Sequence, residues 1–153
     1  MTPSFEGLSV ALATPFDRFG EIDLAAFRNL VRHVVTGGVD VPVVLGTSGE
    51  APALEERERD MLIQACLEEA RGRPVLAGCG TNATAKTIKY TKRARELGAA
   101  GALVVTPYYV KPMDSGLVAH YAAIAEAVPG FPIVAYNVPG RTGVTISPAA
   151  VLS

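Results

Sequence analysis

The sequence predicts an α/β protein built on a parallel sheet. Two observations carry that class: five apolar, β-branched runs recur along the chain, and the gaps between them repeat apolar residues at helical spacing. Continuous apolar strands joined by helices belong to sheets that are covered on their faces. The period is a third observation. The runs begin at residues 8, 39, 74, 101 and 131, and a (β/α)8 barrel of about 250 residues gives about 31 residues per unit. Periodicity alone leaves two architectures open. One is a doubly wound sheet of five strands; the other is a (β/α)8 TIM barrel of which the chain covers the first five βα units.

The first run, 8–14, leads into a helix in which Leu24, Phe27, Leu30, Val31, Val34 and Val35 follow the i, i+3, i+4 pattern, with Asp23 placed as its cap. The second, 39–45, precedes a charged stretch at 55–60, read as the solvated first turns of a helix whose apolar side is Met61, Leu62, Ala65 and Cys66. After the third, 74–79, a helix carrying Ile88, Ala94 and Leu97 stops at Gly98. After the fourth, 101–106, Leu117, Tyr121, Ile124 and Val128 mark a helix ending before Pro129-Gly130. Beyond the fifth, 131–136, Ser147-Pro148 is a cap followed by proline at the first helical position. The helix opened there is short at residue 153, which favours the barrel, since an open sheet would want its last helix whole.

The totals exclude several classes. Lys and Arg number 14 against 15 Asp and Glu, for a formal charge of −1, so no basic excess exists to neutralise phosphates and no nucleic-acid partner is expected. The chain is 49% hydrophobic, yet no apolar run approaches the roughly 18 residues of a membrane helix. No basic segment followed by an apolar core opens the chain, so no secretory leader is expected. Cys66 and Cys79 lack C-x-x-C spacing and read as free thiols in a reducing, cytoplasmic setting. His33 and His120 fall on different helices with no ligand partners at metal spacing. Both are expected at a surface or interface, and no metal is expected. Gly78-Cys79-Gly80 lacks the third glycine and downstream acid of a dinucleotide fingerprint.

Three strand ends carry polar clusters that could form one site. Leu45-Gly46-Thr47-Ser48-Gly49-Glu50 follows the second run, Thr106-Pro107-Tyr108-Tyr109 the fourth, and Tyr136-Asn137-Val138-Pro139-Gly140-Arg141-Thr142-Gly143 the fifth. A phenol can pass protons, and a guanidinium grips a carboxylate through two parallel hydrogen bonds. Taken alone, Tyr136 would as readily be a packing residue with its hydroxyl in water, and Arg141 a solvated loop charge. Glu50 is read as satisfying N–H groups of its turn, and Cys79 as a small buried hydrophobe.

Together and in this order, Ala13-Thr14-Pro15-Phe16, Gly46-Thr47-Ser48-Gly49-Glu50, Thr106-Pro107-Tyr108-Tyr109 and Tyr136-Asn137-Val138-Pro139 resemble the dihydrodipicolinate synthase family of pyruvate-dependent class I aldolases. The likeness runs from about Gly7 to the last residue. It implies a (β/α)8 barrel with its site at the C-terminal mouth, and a homotetramer built as a dimer of dimers. It also implies a lyase that condenses pyruvate with L-aspartate 4-semialdehyde in lysine (diaminopimelate) biosynthesis. No separate cofactor is implied, because a Schiff base between pyruvate and a lysine is the electron sink. Arg141-Thr142-Gly143 looks like the synthases, whose matching arginine holds the semialdehyde carboxylate; sialic-acid lyases are uncharged there. A related 2-keto acid aldolase or lyase, and a non-catalytic relative that binds pyruvate or a partner, are the alternatives.

The resemblance assigns roles residue by residue. Tyr136 matches the phenol that shuttles protons beside the Schiff base. Thr47 matches the hydroxyl joining two tyrosines in a relay, and Tyr109 the second phenol, which reaches a neighbouring subunit's site. Thr47 and Ser48 match the turn that binds pyruvate's carboxylate; a second threonine is usual at Ser48. Tyr108 is expected to pack at the dimer interface. Asn82 and Tyr108 match two positions of the family's lysine-inhibition site, but Lys86 stands where inhibited enzymes carry an acid, so weak feedback is expected.

The family's Schiff-base lysine lies on the sixth strand, one unit beyond Tyr136. Lys86, Lys89 and Lys92 fall on a predicted outer helix and Lys111 in a loop, so none substitutes for it. Residues 1–153 are therefore expected to be the N-terminal part of a single barrel domain, truncated after strand five, and this chain alone is expected to be inactive.

Overall fold

The computed structural model describes residues 5–152. Five strands, β1 (Ser9–Ala11), β2 (Val41–Val44), β3 (Leu76–Gly78), β4 (Gly101–Val105) and β5 (Ile133–Tyr136), form one sheet in the order β1-β2-β3-β4-β5. Every pairing is parallel, with Val43 opposite Leu76, Leu103 opposite Val134, and Val105 opposite Tyr136. The strands are shorter than the apolar runs that announce them. At the first, for example, the extended chain continues past Ala11, with Leu12 N–H donating to Val43 O, before turning away.

Four long helices follow the first four strands: α1 (Leu24–Thr36), α2 (Glu56–Glu69), α3 (Thr84–Leu97) and α4 (Asp114–Ala127). Short helices α5 (Pro139–Thr142) and α6 (Pro148–Leu152) follow β5. The expected caps are in place. Asp23 accepts from Ala26 N–H at 2.8 Å, Gly98 closes α3 in the left-handed region, and Ser147 Oγ accepts from Ala150 N–H. The charged stretch before Met61 is the first turn of α2, held by a capping box between Glu55 and Glu58.

Side chains alternate between the two faces of a strand, and here the faces differ in kind. Val44, Ala77, Ala102 and Val104 point outward into a core shared with Phe27, Val31, Leu62, Cys66, Ala94 and Ile124 of the helices. Val41, Val43 and Leu76 form a separate cluster on the other face, with Leu103 and Val134 half-buried against it. Four long helices on one face and consecutive strand order match a barrel wall. A doubly wound sheet would place helices on both faces and reverse its strand order. The structure thus decides the choice that periodicity leaves open.

Ion pairs tie the outer helices to one another. Glu69 of α2 meets Arg28 at 3.2 Å and Arg32 at 2.8 Å from α1, while Lys89 and Arg93 of α3 reach Glu56 at 2.7 Å and Asp60 at 2.9 Å on α2. Such exposed pairs contribute little individually, so the outer core sets the helix positions.

His120 departs from expectation. His33 is exposed as expected, but His120 is buried at 4% exposure, on the face of α4 that meets α3. Its Nδ1 lies 2.9 Å from Thr84 Oγ1, and among the described residues its buried Nε2 has no partner. Burial holds its pKa below the usual 6.5, because the imidazolium would lose hydration, with its Nε2 left unpaired. The unfolded chain takes up a proton near pH 6.5, before the folded one does. Stability is therefore greatest above that pH and falls as pH drops through it, levelling once the folded imidazole protonates. Urea midpoints measured from pH 8 to pH 5 are expected to decline with this slope, and His120→Gln is expected to flatten it.

Candidate active site

The C-terminal ends of β2, β3, β4 and β5 surround a cavity of about 260 Å³. Thr47, Tyr108, Tyr136 and Arg141 line it with Gly78 and Gly80. The glycines allow close approach: a Cβ on Gly78 would stand 1.8 Å from Leu45 O, and one on Gly80 2.3 Å from Val105 N. Backbone from neighbouring strand ends therefore occupies space that any larger residue would claim.

The turn after β2 is conformationally demanding. Leu45 and Glu50 both adopt left-handed backbone, at φ 60° and 53°, a conformation that costs side-chain-bearing residues energy. Between them Thr47–Gly49 forms one 3-10 turn, with Gly49 N–H donating to Gly46 O. Thr14 of the Ala13-Thr14-Pro15-Phe16 motif donates its buried hydroxyl to Gly49 O at 2.7 Å. Thr14→Val is expected to leave that carbonyl unsatisfied and cost about 1–3 kcal/mol, read as a lower urea midpoint at unchanged slope.

Thr47 is half-buried and Ser48 exposed. Glu50 is exposed too, and its contribution is the left-handed link between two 3-10 turns rather than a side-chain bond to the backbone. Tyr136 ends β5 half-buried, on the inward face with Val134. Among the described residues the Thr47 and Tyr136 hydroxyls have no hydrogen-bond partner, so both remain available to a ligand. Arg141 projects from α5, which starts at Pro139 and closes at Gly143 with φ 71°. Thr142 Oγ1 donates to Val144 O just beyond that turn, and Asn137 Oδ1 accepts from Ile146 N–H at 3.2 Å, fixing the loop below the arginine. Gly140 lies inside α5 with open space around it, whereas Gly143 closes the turn in left-handed backbone.

The two tyrosines after β4 part company. Tyr108 lines the cavity. Tyr109 has φ 72° and is 87% exposed, on a projecting loop with Val110 and Met113. Cys79 is buried among Ala77 and Tyr90 carbonyls, and burial pushes its thiol up to about 12, which suits a packing residue. Among the described residues no strand end carries a lysine. Lys86, Lys89 and Lys92 lie on α3, and Lys111 lies against Gly143 in the loop beyond β4. No group of three or more His, Cys, Asp or Glu side chains among the described residues is placed to hold a metal ion, and no helix among them is long and apolar enough to cross a membrane.

The residue that the motifs do not reveal is Arg59. It lies in the charged stretch read as solvated, yet it is 5% exposed. Its Nη1 donates to Ala51 O at 3.1 Å and its Nη2 to Gly78 O at 2.6 Å. The spacing 59, 62, 63, 66 places it on the apolar stripe of α2 with Leu62, Ile63 and Cys66.

Comparisons with known proteins identify the family and agree with the fold. The model for the dihydrodipicolinate synthetase family matches residues 4–153. The 4-hydroxy-tetrahydrodipicolinate synthase of Thermotoga maritima is 50% identical over 145 residues, 94% of this chain and 49% of that protein. The synthase of Xanthomonas axonopodis pv. citri is 51% identical over 149 residues, 97% of this chain and 49% of its own. A crystal structure of the chloride-inhibited dihydrodipicolinate synthase of Acinetobacter baumannii, complexed with pyruvate, superposes with a TM-score of 0.94 at 43% identity, covering 97% of this chain and 51% of that one. The chain spans about half the length of the curated relatives it matches. With five consecutive parallel strands, the ordered motifs at their ends and a family match across nearly every residue, the chain belongs to the dihydrodipicolinate synthetase family.

Proposed function

We propose that residues 1–153 supply the first five units of a (β/α)8 barrel and the pyruvate-handling wall of a dihydrodipicolinate synthase site. The observation that carries this reading is the convergence of Thr47, from the turn after β2, with Tyr136 and Arg141, from the end of β5 and the turn after it, on one cavity at the strand ends. In the family reaction a lysine amine attacks the ketone of pyruvate and water leaves, giving an iminium. Loss of a methyl proton gives the enamine, which adds to the aldehyde of aspartate semialdehyde. Here the Thr47–Gly49 turn, with Ser48, receives pyruvate's carboxylate. Tyr136 carries protons at the reacting carbon and nitrogen, with Thr47 as its relay partner. Arg141, exposed at the rim, holds the semialdehyde carboxylate through a two-point contact.

The amine comes from a sixth strand that completes the barrel. Tyr109, Val110 and Met113 project into solvent and support association with a second copy, in which Tyr109 would reach the neighbouring site. The full assembly is a homotetramer. Lys86, exposed with its amine 5.5 Å from the Tyr90 ring centroid, supports weak lysine feedback. Two buried free thiols, Cys66 and Cys79, support a reducing, cytoplasmic setting.

The test co-folds this chain with the C-terminal half of the Thermotoga maritima synthase and treats the mixture with pyruvate and borohydride. The expected result is one reduced pyruvate on the added half and synthase turnover, lost by about 10²-fold or more in Tyr136→Phe. A folded complex with no adduct, or an adduct indifferent to Tyr136→Phe and Thr47→Val, overturns the reading.

A further inference from the structure

Arg59 is a buried cation that no carboxylate pairs with among the described residues. Its guanidinium lies 4.2 Å from the Tyr90 ring centroid, and its two hydrogen bonds end on backbone carbonyls. Desolvation holds its pKa below the usual value. An apolar side chain of similar length would fill the same space without that cost, so packing alone does not explain a guanidinium here.

The two carbonyls bracket one loop. Ala51 directly follows Glu50, the residue in left-handed backbone at the loop's far end. Gly78 lies against Leu45 O, at the left-handed residue where the loop begins. Among the described residues, Thr14 is the side chain that holds the middle, through Gly49 O. Two strained residues separated by a single short turn need their flanks fixed, or the chain will relax into ordinary backbone.

We propose that Arg59 is a positioning residue for the carboxylate-receiving turn, its fork clamping Ala51 to the end of β3 so that the turn keeps its shape and Thr47 stays presented to the cavity. The inference rests on the pyruvate reading for its ligand and on local geometry alone for the clamp. Planarity matters: a guanidinium can reach two carbonyls at fixed separation, which an ammonium on a flexible stem does not reproduce.

The test compares wild type, Arg59→Ala and Arg59→Lys of this chain in two measurements. Amide hydrogen exchange is followed at residues 46–51 and, as reference, in α4. Pyruvate is titrated while the Thr47 and Ser48 amides are observed by NMR. In Arg59→Ala, exchange at 46–51 is expected to rise about tenfold over the change in α4, and pyruvate affinity to fall about tenfold. Guanidinium at low millimolar concentration, well below denaturing levels, is expected to restore both, and Arg59→Lys to fall between. Exchange that is unchanged at 46–51, or raised equally in α4, overturns the clamp, as does failure of guanidinium to restore the loop. Should Arg59→Ala not fold, Arg59→Lys carries the same decision through the ratio of loop to α4 exchange. A wild-type chain showing no response to pyruvate would count against the pyruvate reading, while the exchange ratios would still judge the clamp.

Discussion

Replacing Gly78 with alanine is expected to destabilise the chain by about 3 kcal/mol or more, a large effect for one methyl group. The added Cβ would meet Leu45 O at 1.8 Å, Leu45 C at 2.5 Å and Gly46 N at 3.1 Å. These are backbone atoms, and Leu45 already occupies left-handed backbone, so relief requires moving the end of β2 itself. Movement there would also displace Gly78 O from Arg59 Nη2. Urea unfolding measures the loss, and the pyruvate titration at Thr47 and Ser48 measures the displaced turn. Gly140→Ala is the matched control: its Cβ meets nothing within 4 Å and it sits in α5. That change is expected to be neutral or to stabilise by up to about 1 kcal/mol. A Gly78→Ala chain as stable as wild type, with an unchanged turn, would contradict the close approach.

Phe27→Ala is expected to cost about 3–5 kcal/mol. Phe27 is 1% exposed and belongs to the outer core shared by the helices and Val44, Ala77 and Ala102. Removing its ring leaves a void that α1 cannot easily close, because Val31 and Val35 of the same helix are packed in the same core and Asp23 caps the helix one turn earlier. Phe27→Leu keeps most of the volume and is expected to cost under about 2 kcal/mol. Both are read from urea midpoints at constant slope. Similar losses for the two would mean that the aromatic shape, rather than the filled volume, holds α1 in place.

Strand and helix order was legible because buried parallel strands are apolar on both faces and the outer helices carry clear stripes. Asp23, Gly98 and Ser147 announced helix ends through chemistry that works locally. Strand order was not legible in the periodicity, which does not say which strand pairs with which; the ordered motifs supplied it through the barrel that their resemblance implies. Arg59 and His120 were misread for one reason: polar residues are ordinarily solvated, and only three-dimensional neighbours reveal a buried one. Arg59 did sit in register with Leu62, Ile63 and Cys66, so the stripe contained the cue. Left-handed Leu45 and Glu50 had no local cue, because contacts from Gly78, Thr14 and Arg59 surround that turn from distant segments. Of the site, Thr47, Tyr136 and Arg141 were legible as strand-end chemistry, and the structure gathers them at one cavity. The one-turn α5 is too short for periodicity to register, although Pro139 and Gly143 mark its two ends.

Because each strand pairs with its immediate predecessor, every sheet contact closes a loop of a single βα unit. Loop-closure entropy then stays nearly constant along the chain instead of growing with its length. Folding can advance by addition, each unit offering a ready edge to the next, as suits a polypeptide emerging in order from the ribosome. Substitutions in β1 and β2 should therefore change the rate of folding more than those in β5, whose partners are in place before it arrives.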